Sequence, residues 1–202
     1  MGHDWGGRAA YILAAVAPER VTSIASLAIG YAPRGRFAVP DFGQSRRWWY
    51  QWFMATDGGA QAVRADPVGF ARMQWDTWGP TDWFDESVFV AVSESFQNPD
   101  WAAVTLHGYR SRWKAEALDP RHARLREMVD GCELLSVPAL MIQGAEDLCD
   151  PPGESEGQQR FFANGYRRLV LDGVGHFPAR EDPRAVVGPI LSNLNAGGAA
   201  AR

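Results

Sequence analysis

The chain has 202 residues, 46% hydrophobic and 22% charged, a balance that excludes intrinsic disorder and leaves room for one core with an inserted subdomain. Its formal net charge is −4, with Lys and Arg dispersed singly or in pairs such as Arg46-Arg47, so a nucleic-acid partner is not expected. Two cysteines, Cys132 and Cys149, give neither a disulfide framework nor zinc-site spacing, and the chain shows neither a leader peptide nor a run of about 18 apolar residues, so a cytoplasmic setting off the membrane is expected.

The run Gly2-His3-Asp4-Trp5-Gly6-Gly7 opens the chain, and behind it Ala9, Ala10, Ile12, Leu13 and Val16 recur at helical spacing up to Pro18. This predicts a helix over 6–17. Val21, Ile24, Leu27 and Ile29, closed by Gly30, predict a short strand buried on both faces over 21–29. Turn, helix and strand in that order form an α/β rhythm. From Tyr31 to Glu133 the rhythm lapses into aromatic-rich sequence punctuated by Pro33, Pro40, Pro67, Pro80, Pro99 and Pro120, which predicts a helical insert over 31–133 between core segments 1–30 and 134–202. Strands return at Val137–Gln143, before Gly144, and at Arg168–Leu171, before Asp172-Gly173, with a crossover helix predicted over 156–163. A last helix is expected over 182–194, and the low-complexity tail 197–202 is expected to be frayed.

In a G-x-nucleophile-x-G turn the central residue sits on a sharp bend between strand and helix, where glycine spares the neighbouring backbone from clashes. Here that residue is Asp4. A carboxylate attacking an sp³ carbon forms an ester that water can cleave, whereas a serine would leave an inert ether. The chemistry indicated is epoxide opening or halide displacement. Asp147 follows the 139–143 strand at its carboxyl end, where open α/β sheets gather their catalytic groups. His176, in Gly173-Val174-Gly175-His176-Phe177-Pro178, lies beyond the next strand. Nucleophile, acid, base is the hydrolase order along the chain. In it Asp147 holds the His176 tautomer while His176 takes a proton from water. Taken singly, Asp4 reads as a helix cap, Asp147 as a turn residue with Asp150 as the acid, and His176 as a loop histidine. His3 is read as structural, and His107 and His122 have no motif around them.

With these motifs the chain resembles the epoxide hydrolase and haloalkane dehalogenase branch of the α/β-hydrolase superfamily over nearly its whole length. The resemblance implies a doubly covered α/β sheet, represented here by about three parallel strands of its carboxyl-terminal part, and a helical lid formed by the insert. It also implies two lid tyrosines that hydrogen-bond the epoxide oxygen. Tyr50, in Trp49-Tyr50-Gln51-Trp52-Phe53, resembles the first, and Tyr109, in His107-Gly108-Tyr109-Arg110, resembles the second. A phenol suits that role because it donates while neutral, although aromatic residues of a small helical subdomain also pack its core. Trp5 is implied as a backbone oxyanion donor whose ring lines the pocket. No metal or organic cofactor is implied.

Eight of the nine tryptophans fall in the insert, consistent with a small apolar substrate; the sequence does not specify an oligomeric state. The function expected is hydrolysis of epoxides to vicinal diols through an ester on Asp4. Two alternatives stay open: a haloalkane or haloacid dehalogenase with the same triad, and a non-catalytic hydrolase-fold protein that binds a ligand or partner. Because the run 2–7 stands at the start of the chain, the strand feeding Asp4 and the second oxyanion donor are expected to be missing. The chain reads as the carboxyl-terminal part of a longer protein, one that in isolation is poorly folded and nearly inactive.

Overall fold

A computed structural model describes residues 1–32 and 40–200, with side chains as far as Asn195. The chain divides into two compact units, one of Met1–Phe37 with His122–Arg202, the other of Ala38–Arg121.

The first unit is built on a sheet of four parallel strands in the order β1-β2-β3-β4: β1 (Gly2–His3), β2 (Ile24–Leu27), β3 (Ala139–Gly144) and β4 (Tyr166–Leu171). Sequence patterning led us to expect about three strands and no residue of the strand that carries Asp4. The structure corrects this. Gly2 and His3 pair with Ser26 and Leu27, and the Asp4 N–H extends the ladder to the Leu27 carbonyl at 3.1 Å. Two residues are too short for a periodicity signal, so only pairing reveals them.

All four residues of β2 and all six of β3 are buried, as continuous apolar runs require when both faces of a parallel sheet are covered. Alternation then divides the core. Ile24 and Ala139 face α1 (Trp5–Val16), where Tyr11, Ala14, Ile29, Tyr31 and Phe162 complete a cluster. Ala25, Leu27, Leu140 and Ile142 face the opposite way, against Val186 and Ile190 of the last helix.

The crossover helix expected over 156–163 is absent; two 3₁₀ turns, Pro152–Ser155 and Gln158–Phe161, stand there instead. Pro151-Pro152 removes two backbone donors, and Gly157, with φ +66°, breaks the run between the turns. The last helix expected over 182–194 is present as α10 (Pro183–Ala200), and a one-turn helix that the sequence pattern did not suggest, α9 (Pro178–Glu181), stands before it, separated at Pro183. Of the tail expected to be frayed, the backbone is helical through Ala200, and residues 201–202 lie outside the described residues.

The second unit is helical: α2 (Phe42–Arg47), α3 (Trp49–Ala55), α4 (Asp57–Ala65), α5 (Pro67–Thr77), α6 (Glu86–Ser93) and α7 (Trp101–Arg112). Another helix, α8 (Ala123–Asp130), belongs to the first unit. The break expected at Pro33 lies outside the described residues. Starts of these helices follow from Asp41, Thr56, Asp66 and Asp85, whose side chains each accept a backbone N–H of the first turn. Arg110 joins α7 to the end of α3, its guanidinium donating to the carbonyls of Met54, Ala55 and Thr56 at 3.0–3.1 Å. Among the described residues, no helix is long and apolar enough to cross a membrane.

Candidate active site

Asp4 joins β1 to α1 with φ +46° and ψ −111°. A non-glycine residue there is strained and persists only where its surroundings fix it. The tightness of the bend shows in what surrounds its glycines. A Cβ on Gly2 would lie 2.1 Å from the Gly6 carbonyl carbon, and one on Gly7 would lie 2.5 Å from Ser26 Oγ. Gly6, by contrast, has open space where a Cβ would go. The motif's requirement for glycine therefore falls on Gly2 and Gly7 rather than on Gly2 and Gly6.

Asp147 lies in the loop after β3, its side chain fully buried. One carboxylate oxygen accepts the N–H groups of Cys149 and Asp150 at 2.9 and 2.8 Å. The other accepts from His176 Nδ1 at 2.8 Å. Of the two acids considered from the sequence, Asp147 bonds the imidazole, while Asp150 contributes its backbone N–H. On the other side of the ring, His176 Nε2 stands 3.7 Å from Asp4 Oδ2. Asp4, Asp147 and His176 thus meet at the carboxyl ends of the strands although 29 residues separate the last two.

The charges are interdependent. Burial disfavours the His176 cation, but the charge and hydrogen bond of Asp147, with Asp4 beside them, prevail and hold the imidazole well above its ordinary value. Burial also works against the Asp4 carboxylate, yet contact with His176, with Arg8 and His3 farther off, keeps its carboxyl below the usual range. His176 thus stands between two acidic side chains, Asp4 and Asp147, that both favour its cation.

Two further groups touch the histidine loop. His3 Nε2–H donates to the His176 carbonyl at 2.7 Å, and burial, followed by the His176 charge, lowers its pKa. Glu181 accepts the N–H of Gly175 at 2.5 Å and that of Phe177 at 2.8 Å. Sequence reasoning set His3 aside as structural and passed over Glu181. The available signal was a glutamate four residues after Phe177 in a proline-started turn, one residue beyond the usual capping-box spacing.

Trp5 is the first residue of α1; the residue is 42% exposed, and the Arg8 guanidinium lies 5.8 Å from its ring centroid. Within the helical unit, Tyr50 on α3 and Tyr109 on α7 are both buried and meet edge to face, ring centroids 5.4 Å apart at 85°. The Tyr50 hydroxyl accepts from Gln51 Nε2 at 3.1 Å, and Trp113 Nε1 donates to Gln51 Oε1 at 3.2 Å.

A family model described as the alpha/beta hydrolase fold matches residues 1–183. No curated protein matches the chain. Among solved structures it is similar to a candidate epoxide hydrolase from Klebsiella pneumoniae subsp. pneumoniae (30% identity, TM-score 0.87, 96% of this chain and 65% of that one). It is also similar to a candidate acyltransferase from Salmonella enterica (21%, 0.75, covering 96% and 63%). A third is Epoxide Hydrolase A from Mycobacterium thermoresistibile (23%, 0.71, covering 96% and 68%). The latter two, at such identities, share the fold alone. The chain spans less than two thirds of the length of the first two. A strained aspartate at a strand-to-helix bend, a buried Asp-His pair at neighbouring strand ends, and the family match over residues 1–183 lead to one assignment: the chain belongs to the α/β-hydrolase fold family.

Proposed function

We propose that this chain carries the catalytic groups of an epoxide hydrolase that opens a small apolar epoxide to a vicinal diol through an ester on Asp4. The observation that carries this reading is a carboxylate at the bend, 3.7 Å from an imidazole whose far nitrogen is bonded to a buried aspartate. A serine there would suit acyl transfer; a carboxylate suits attack on an sp³ carbon.

In the first step an Asp4 oxygen bonds to an epoxide carbon as the C–O bond of the ring breaks. The departing oxygen takes a proton from solvent water and becomes a hydroxyl. Forming the ester removes the Asp4 charge, and with it one of the two anions that raise the His176 pKa. The imidazole then gives up its proton more readily, to the hydroxide left by that water, and serves as a base. His176 takes a proton from water, the hydroxide bonds to the ester carbonyl carbon, and Asp147 stabilises the imidazolium. The Trp5 N–H, at the positive end of the α1 dipole, supports the developing oxyanion. Collapse expels the diol oxygen, which takes the proton of the new Asp4 carboxyl group and so restores the Asp4 carboxylate.

A dehalogenase with the same triad would generate a halide that needs no proton. The test is single-turnover reaction of the purified protein with a labelled epoxide and mass spectrometry of the peptide bearing Asp4. His176→Gln is expected to trap an ester adduct on Asp4. No adduct in either protein refutes the ester; turnover that survives Asp4→Ala refutes the nucleophile.

A further inference from the structure

Asp147 holds His176 by its ring, yet a ring is placed only as well as the backbone beneath it. Two peptide units close to it, the one ending at Gly175 and the one directly after His176, are fastened at both ends. In the 174–175 unit, the Val174 carbonyl accepts the Glu146 N–H at 2.9 Å and the Gly175 N–H donates to Glu181 Oε2. In the 176–177 unit, the His176 carbonyl accepts from His3 Nε2–H and the Phe177 N–H donates to Glu181 Oε1. One carboxylate therefore reaches across the histidine and grips the chain on either side. Capping α9 needs only the N–H of Phe177, its N-cap residue; the second bond, to Gly175, lies outside the helix altogether.

We infer that Glu181, assisted by His3, is the positioning group of His176, and that its effect falls on cleavage of the ester rather than on its formation. The inference rests on the ester reading above. The division between steps follows from chemistry: Asp4 attacks the epoxide without a base, whereas hydrolysis needs Nε2 aligned with both a water and the ester carbonyl. A misplacement of about 1 Å at such a centre costs up to roughly a hundredfold in rate. A carboxylate suits the task because both its oxygens accept, while an amide of the same shape presents an NH₂ to one of the two N–H donors. Glu181→Gln thus breaks half of the grip at nearly constant volume.

The experiment follows both phases of a single turnover with styrene oxide as probe. In Glu181→Gln, ester formation is expected to stay within about twofold of the parent while ester decay slows roughly tenfold to a hundredfold. kcat and KM then fall together and kcat/KM holds. His3→Ala, at the other end of the same peptide unit, is expected to share this split. Equal slowing of both phases, or slowing of neither, overturns the inference. A second readout needs no turnover: exchange with water of the His176 Nδ1 proton, followed by NMR, is expected to quicken in both variants, and unchanged exchange overturns the positioning role. Should His176→Gln trap no ester, the ester reading falls on its own account, and proton exchange alone decides whether Glu181 positions His176.

Discussion

Asp150 puts a second carboxyl group beside the Asp147–His176 pair, and burial pushes its pKa up to about 6, with His176 pulling the other way and Asp147 adding to the rise. Its fold-state value exceeds the ordinary one, so the folded protein binds the extra proton between about pH 4 and 6. Stability from this group is full below its ordinary pKa of 3.8 and is lost as pH rises through about 6. Asp150→Asn is expected to flatten that segment of the stability curve and to raise stability at pH 7 by up to about 3 kcal/mol. The check is the difference in urea midpoint between parent and variant from pH 4 to 7; a difference that does not change with pH contradicts it. At this scale the meeting of Asp4, Asp147 and His176 was legible because a glycine-framed bend and two strand-end residues are local patterns. The roles of Glu181 and His3 were not. A carboxylate bound to two N–H groups leaves no trace in composition, and His3 reaches the His176 carbonyl only because β1 pairs with β2, a contact 173 residues away in sequence.

At the scale of elements, the bend between β1 and α1 makes a prediction that separates its three glycines. Gly7→Ala must push Ser26 or Ile29 aside, and Gly2→Ala must displace the Gly6 backbone; each is expected to cost about 1–3 kcal/mol. Gly6→Ala meets open space inside a helix and is expected to be neutral or stabilising by up to about 1 kcal/mol. Chemical denaturation of the three variants decides; a Gly6→Ala loss as large as that of Gly7→Ala would show that the bend needs glycine for another reason. Strands β2 and β3 were legible because burial on both faces forces an apolar run, whereas two-residue β1 carries no period. The stretch 156–163 was misread as a helix because the crossover between two parallel strands usually holds one. Backbone chemistry decided otherwise: Gln143 Nε2 and Ser155 Oγ tie this loop to β3, and 3₁₀ turns accommodate the tie.

At the scale of the whole chain, eight of the nine tryptophans belong to the helical unit Ala38–Arg121, and only Trp5 belongs to the other. Tryptophan fluorescence therefore reports one unit, while far-UV circular dichroism reports both. Each unit has its own core, so the two signals are expected to give non-coincident urea transitions; superimposable curves would show that the units unfold as one. The account's central claim, the Asp4 ester, concerns the route of one oxygen atom through the molecule. It is tested most directly by a single turnover of an epoxide in ¹⁸O-water with enzyme in excess. The ester route predicts that the first diol carries unlabelled oxygen drawn from Asp4 and that the label appears in the Asp4 carboxylate. Label in the diol of the first turnover, with Asp4 left unlabelled, would mean that water attacks the epoxide directly, and the account would be contradicted.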